Sequence, residues 1–232
     1  MNYNDKQHSV YNGNKLKIEI FGASHSEEIG VKVDGFGCGK IDKEKLQAFI
    51  NRRKAVSTAY STKRFEPDQV IIEEGVDGTV LNGKQFKAVI KNTSQKSSDY
   101  DKTLKIPRPS HADFVAWSKY GDGFDHRGGG KFSGRLTAPM CIAGGICKQF
   151  LEEKGIKVNA YIASIGKADG KTYKTVDVEN FDFNGLSTEF PLLDENDKDK
   201  MLAEITNASS VGDSVGGIIE CVVTGVPVGT GE

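Results

Sequence analysis

The segment from Ser133 to Lys154 limits the choice of fold more than any other part of this chain. Its sequence, SGRLTAPMCIAGGICKQFLEEK, is apolar over most of its first two thirds and is followed by Gly155. A helix without a polar face has to be covered by other elements, and small residues let those elements come close. We therefore expect a buried central helix, although Pro139 and the pair Gly144-Gly145 each weaken a helix interior.

Short strands and two further helices are expected around this segment. Asp42 and Asp194 can each cap a helix, and the helices are expected to end near Arg53 and Asn207. Residues 1–14 are polar and without periodicity, so they are expected to form a disordered or tag-adjacent end. Alternating or short apolar runs predict strands over 15–21, 30–33, 69–73, 87–92, 158–165 and 217–224.

Composition and charge exclude several classes of protein. A chain of 232 residues with 37 % hydrophobic residues can bury one sizeable core. The net charge of −1 gives no general field for nucleic acid or an anionic membrane, so neither is expected as a partner. No run approaches the ~20 apolar residues of a membrane span, and no signal-peptide core is present, so a cytoplasmic protein is expected. No metal site is expected, and the widely spaced Cys38, Cys141, Cys147 and Cys221 are interpreted as buried free thiols.

The densest chemical signal is the glycine-rich segment KYGDGFDHRGGGKFSGRLTA, residues 119–138. Three consecutive glycines are flanked by Arg127, Lys131 and Arg135, and Ser133 stands at the entrance of the expected helix. Backbone N–H groups, a helix N-terminus and basic side chains together suit a phosphate. The segment matches neither the Walker A pattern nor GxGxxG, and a flexible surface hairpin is the alternative.

Two further segments carry residues suited to an anionic substrate. IPRPSHAD, residues 106–113, has Arg108 between two prolines and His111 two residues after the second. It lies within the longer stretch 93–113, which we interpret as a functional loop. His25 lies on a turn directly after a strand, and a histidine of ordinary pKa near 6.5 can exchange protons near neutral pH. Residues 51–68 are rich in arginine and lysine, which indicates either a solvated face or part of one pocket for an anionic ligand.

Taken together and in order, these motifs resemble those of the chorismate synthases. FGASHS (21–26), NRRK to KRFEPDQ (51–69), IPRPSHAD, YGDGFDHRGGGKFSGRLTA (120–138) and DSVGGIIECVVTGVPVGTGE (213–232) each match a motif of that family. The resemblance covers residues 15–232 and implies an α+β fold, a β-α-β sandwich with helices between antiparallel sheets.

The resemblance also implies the activity and its site. The reaction is the elimination of phosphate from 5-enolpyruvylshikimate 3-phosphate to give chorismate, with reduced FMN required, usually in a homotetramer. By matching position, His25 would be the acid near the departing phosphate and His111 would protonate the flavin side. Substrate would be bound by Arg53, Arg64, Arg108, Arg127 and Arg135, and FMN by Lys131, Phe132 and Ser133.

The sequence also departs from the family pattern. Ser26 replaces a glycine, Lys131 replaces an arginine, and Lys54-Ala55 replace an Arg-Pro pair. Family members continue well beyond the final GTGE, so a C-terminally truncated domain is expected. The alternatives are an inactive remnant that keeps the fold and anion binding, a simple anion-binding module, and a flavin oxidoreductase, which the lack of a dinucleotide fingerprint disfavours. The residues do not indicate whether the flavin is reduced by NADPH.

Overall fold

The computed structural model describes residues 8–54, 60–61, 66–93, 106–121, 125 and 127–230. It divides into two compact units, Met1–Ala55 with Lys63–Gln149, and Val56–Thr62 with Phe150–Glu232. All strand pairs in the described part of the chain are antiparallel, and four α-helices accompany them. This arrangement confirms the expected α+β class.

The first unit contains two antiparallel sheets. Its strands are β1 (Ser9–Asn12), β2 (Lys17–Gly22), β3 (Glu28–Asp34), β4 (Cys38–Lys40), β5 (Ile71–Glu74), β6 (Val76–Asp77), β7 (Val80–Asn82) and β8 (Phe86–Lys91). The larger sheet has the order β1-β2-β3-β8-β5 and the smaller one the order β4-β7-β6. The central pair, β3 and β8, buries one face: Val31 lies opposite Ala88 and Val33 opposite Phe86, and all four are fully buried. Alternation along these strands therefore fixes which face forms the core.

Three helices begin in the first unit: α1 (Lys43–Asn51), α2 (Asp113–Tyr120) and α3 (Thr137–Glu153). Asp42 caps α1 as predicted, because its Oδ1 accepts from the Lys45 backbone N–H at 2.8 Å. The Gln149 side chain of α3 exchanges hydrogen bonds of 2.8 and 3.0 Å with the Asp42 backbone. A Cβ on Gly145 would lie 2.7 Å from Leu46 Cδ1, so the glycine that weakens α3 also lets α1 approach it.

The helix predicted from Ser133 is confirmed, with two differences. A 3-10 turn, Gly134–Leu136, precedes α3, and Pro139 lies in the first turn of α3, where its missing N–H costs no hydrogen bond. The helix is not covered on every side, since Thr137, Met140 and Gly144 form an exposed line along it.

The second unit is built on a three-stranded sheet of order β10-β9-β11, formed by β9 (Lys157–Ile165), β10 (Ala168–Asp169) and β11 (Gly217–Thr224). Tyr161 and Ala163 of β9 pack with Leu193 in one cluster of buried side chains. Ile162, of opposite orientation, packs in a second cluster with Met201 of α4 (Lys198–Ser210). Because β9 is covered on both faces, its apolar run is nearly continuous.

Two expectations from the sequence are wrong. Residues 9–12 are not part of an irregular end but form β1, which pairs with β2 from Ser9 opposite Ile20 to Asn12 opposite Lys17. The four cysteines are free, but Cys38 and Cys221 are exposed rather than buried. Within the described ranges, no helix is long and apolar enough to cross a membrane, and no group of three acidic, cysteine or histidine side chains is placed to bind a metal ion.

Candidate functional site

Three consecutive glycines, residues 128–130, bring the segment Arg127–Phe132 against the turn that follows β2. Their φ angles are 60, 107 and 54°, which side chains rarely allow. A Cβ on Gly128 would lie 2.3 Å from Cε1 of His25 and 2.9 Å from Oγ of Ser24. The glycine is therefore required for this segment to pack directly on the imidazole.

The hydrogen bonds around His25 assign its ring protons. The residue is only 7 % exposed. Its Nδ1 lies 3.2 Å from Oγ of Ser24, and this hydroxyl donates to the backbone carbonyl of Arg127 at 3.1 Å. Because the hydroxyl proton is used on that carbonyl, Oγ accepts the Nδ1 proton. Nδ1 is therefore the ring nitrogen that Ser24 engages.

His111 reaches the same glycine segment from a position two residues before α2 begins. A Cβ on Gly129 would lie 3.5 Å from Nε2 of His111, so the two histidines contact neighbouring glycines. On its other side, Nδ1 of His111 lies 2.6 Å from Oδ1 of Asp113. An ionised carboxylate accepts the Nδ1 proton and turns Nε2 toward the glycine segment.

Asp113 is kept ionised by Arg108. The guanidinium donates from Nε and Nη2 to the two carboxylate oxygens at 2.7 and 2.8 Å, and the Arg108 backbone N–H donates at 3.1 Å. These side-chain hydrogen bonds, against the opposing effect of burial, hold the pKa of Asp113 well below its usual range. The carboxylate therefore orients both Arg108 and His111.

A second acidic residue, Asp68, joins two arginines. It is 2 % exposed and has a φ of 47°. Its Oδ2 accepts from Nη1 of Arg53 at 2.8 Å, and its Oδ1 accepts from Nη1 of Arg135. Nε of Arg135 donates to Oδ1 of Asn92 at 3.1 Å, whereas Nη2 is buried and has no hydrogen-bond partner among the described residues. One guanidinium nitrogen of Arg135 is therefore buried with its hydrogen-bonding capacity unused among the described residues.

The remaining arginine of the site, Arg127, is paired within its own segment. Its Nε and Nη2 donate to the two oxygens of Asp125 at 2.9 and 2.8 Å. The described arginines of the site are therefore each held by a carboxylate, and the site carries less net positive charge than the sequence alone indicated.

Lys131 and Phe132 lie on a more open part of the segment. The ammonium of Lys131 is 4.6 Å from the ring centroid of Tyr120 and 5.8 Å from that of Phe132, and it donates to the Tyr120 hydroxyl at 3.4 Å. Burial raises the pKa of Tyr120, but the hydrogen bond and charge of Lys131 outweigh it and lower the pKa overall. Ser133 has a structural contact, since its Oγ accepts from the Arg135 backbone N–H at 3.2 Å.

The structure thus brings most of the predicted site residues together in the first unit. Arg64 lies outside the described residues, as does most of the stretch 93–113. Sequence reasoning missed the carboxylates Asp68 and Asp125 and the amide of Asn92. Asp125 could have been inferred from its position two residues before Arg127. Nothing in the sequence pairs Asp68 with Arg135, which is 67 residues away.

Comparison with known proteins agrees with this arrangement. The family model described as chorismate synthase matches residues 16–232. Curated chorismate synthases of Lancefieldella parvula and Thermococcus kodakarensis are 38 % and 39 % identical, each over 94 % of this chain. A crystal structure of chorismate synthase superposes with a TM-score of 0.64 at 21 % identity, covering 94 % of this chain and 60 % of that one. This chain spans about 60 % of the length of these curated relatives. With the family model matching all but the first residues, the chain belongs to the chorismate synthase family.

Proposed function

We propose that this site serves the reaction of its family, the elimination of phosphate from 5-enolpyruvylshikimate 3-phosphate to give chorismate. The observation that carries the proposal is the placement of His25 and His111 on the neighbouring residues Gly128 and Gly129, with paired arginines around them. The reaction breaks a C–O bond to the phosphate and removes a ring hydrogen, so it needs proton transfer at two places. Two imidazoles that contact adjacent residues of one glycine segment meet that need.

We assign the proton-transfer roles by position. As an imidazolium, with protons on both ring nitrogens, His25 would give the Nε2 proton to the departing phosphate and keep the Nδ1 proton on Ser24, since burial beside the glycine segment keeps water from competing for it. His111, oriented by Asp113, would exchange a proton on the flavin side. The substrate carries a phosphate and two carboxylates, which suit the guanidinium groups of Arg53, Arg108, Arg127 and Arg135. We include Arg64 in this set on its position in the family motif alone.

The residues proposed for FMN fit its chemistry. Phe132 is 47 % exposed, and the Lys131 ammonium lies 5.8 Å from its ring centroid. An accessible aromatic ring beside a cation suits a flavin ring and its phosphate. We propose that Lys131, Phe132 and Ser133 hold reduced FMN, which when bound supplies electron density to a reaction without net redox change. A cytoplasmic homotetramer is proposed on the family resemblance.

An anaerobic assay tests the proposal. The protein is mixed with 5-enolpyruvylshikimate 3-phosphate and chemically reduced FMN, and chorismate and phosphate are measured together. We expect equal amounts of the two products, none with oxidised FMN, and a loss of about 10² to 10⁴ in rate for His25→Ala and for His111→Ala. Equal turnover without flavin would refute the flavin role, and substrate binding without turnover would favour the anion-binding alternative.

A further inference from the structure

Asn92 makes an unusual set of contacts for a residue outside the predicted site. It directly follows β8 and is 8 % exposed. Its amide nitrogen donates to the backbone carbonyls of Ala23 at 3.2 Å and Ser26 at 2.7 Å. Its amide oxygen accepts from Nε of Arg135 at 3.1 Å. One buried side chain thus bonds the His25 turn through its amide nitrogen and Arg135 through its amide oxygen.

The donor half of this side chain controls the turn that carries His25. Ala23 and Ser26 stand on either side of the Ser24-His25 pair, so the Asn92 amide holds both ends of the turn. The Asn92 backbone N–H adds a third contact, to the Glu27 carbonyl at 2.9 Å. The backbone of the His25 turn is therefore held by Asn92, and the imidazole itself packs against Gly128.

The acceptor half controls Arg135. Asn92 takes the Nε proton and Asp68 takes a proton from Nη1, so two atoms of the planar guanidinium are fixed. A plane held at two points has one orientation, and Nη2, which has no hydrogen-bond partner in the described part of the chain, is thereby aimed in a fixed direction. Loss of either contact would free the plane to turn.

We propose that Asn92 is a positioning residue that couples the proton donor His25 to the anion-binding nitrogen of Arg135. This role rests on the proposed function, because Asn92 would keep the group that protonates the phosphate at a fixed position relative to a group that binds the same substrate. Asn92 itself need not touch substrate.

The test uses Asn92→Asp, which separates the two halves of the side chain. The aspartate keeps an acceptor for Arg135 but loses both donors to the turn and sets a carboxylate against two carbonyls. Asn207→Asp, the same change at an exposed position on α4, is the control. Nuclear magnetic resonance follows the His25 imidazole and the Arg135 Nε–H in the chain without substrate or flavin, so the result does not depend on turnover.

We expect Asn92→Asp to shift the His25 ring signals and to raise the His25 titration midpoint by about half a pH unit or more, because a nearby anion favours the imidazolium. The Arg135 Nε–H signal should move downfield as its hydrogen bond becomes charge-assisted. Asn207→Asp should move neither. If either signal stays at its wild-type position in Asn92→Asp, the coupling is refuted even if the protein is an active chorismate synthase. If both signals shift in Asn92→Asp but the wild-type chain forms no chorismate, only the proposed function is refuted.

Discussion

Replacing Asp68 by asparagine should cost the protein several kcal/mol of stability, because this buried carboxylate holds two arginines. The Asp68 carboxylate is 2 % exposed and bridges Nη1 of Arg53 and Nη1 of Arg135. Asparagine is among the residues that best tolerate a positive φ, so the φ of 47° at this position is not an added cost. The substitution therefore isolates the loss of the charge from any change in the backbone.

The expected magnitude follows from what Asp68→Asn leaves behind. The side chain of Arg135 is 7 % exposed and would keep its positive charge without an anion. Removing one partner of a buried ion pair costs about 3 to 5 kcal/mol. In a chain of this length each kcal/mol lowers Tm by roughly 2–4 °C, so a fall of roughly 6–20 °C is expected.

Urea unfolding at pH 7 and calorimetry measure this loss, with Asp77→Asn as the matched control. Asp77 is exposed on β6, and its replacement should change the free energy of unfolding by less than about 0.5 kcal/mol. If Asp68→Asn costs no more than Asp77→Asn, the bridge does not hold the two arginines. The account of Arg135 as a fixed guanidinium would then be wrong.

Three further substitutions test other contacts. Gly128→Ala should cost about 1–2 kcal/mol from the left-handed backbone alone, and it should shift the His25 ring signals in magnetic resonance spectra; unchanged signals would contradict the packing. Asp113→Asn should destabilise the folded protein at pH 7 but progressively less below about pH 4. Arg108 lowers the pKa of the Asp113 carboxyl in the folded state, so the stabilisation that this carboxylate gives the wild type is lost as the pH falls. A difference in Tm between variant and wild type that stays constant down to pH 2 would count against this. Burial, with a hydrogen bond to a glutamate, raises the pKa of Tyr161 to about 12, whereas tyrosine in the unfolded chain ionises near 10. The wild type should therefore lose stability as the pH rises from about 10 to about 12. Tyr161→Phe should lose less stability over this range, as followed by circular dichroism.

Local patterns in the sequence predicted several of the regular elements, but α2 was not predicted. The strand Gly217–Thr224 has the predicted bounds, and α1 begins after its predicted cap, Asp42. In both cases the signal is local in the chain: a run of apolar side chains in β11 and apolar side chains at helical spacing in α1. β1 was missed because its four residues, SVYN, are too few to show an apolar alternation.

The site was predictable in its residue types but not in its charge balance. Glycine, arginine and histidine motifs indicated anion chemistry, and the family resemblance grouped them. The acids that hold the arginines were not predicted, because a contact such as Asp68 with Arg135 depends on how the chain returns to the same place and not on spacing. Ser26 illustrates the same limit: where the family has a glycine, its Oγ accepts from the Ala23 backbone N–H at 2.9 Å and closes the His25 turn.

The pairing of arginines with carboxylates changes how this site would take up an anion. Arg108 and Arg127 each use Nε and Nη2 on an aspartate, and Arg135 uses Nε and Nη1 on Asn92 and Asp68. Each guanidinium is thus oriented before any ligand arrives, which lowers the conformational entropy that binding has to overcome. The carboxylates also reduce the net charge, so affinity depends more on the direction of the remaining N–H groups than on long-range attraction. A protein of net charge −1 can in this way present guanidinium groups to an anion without a large positive field around it.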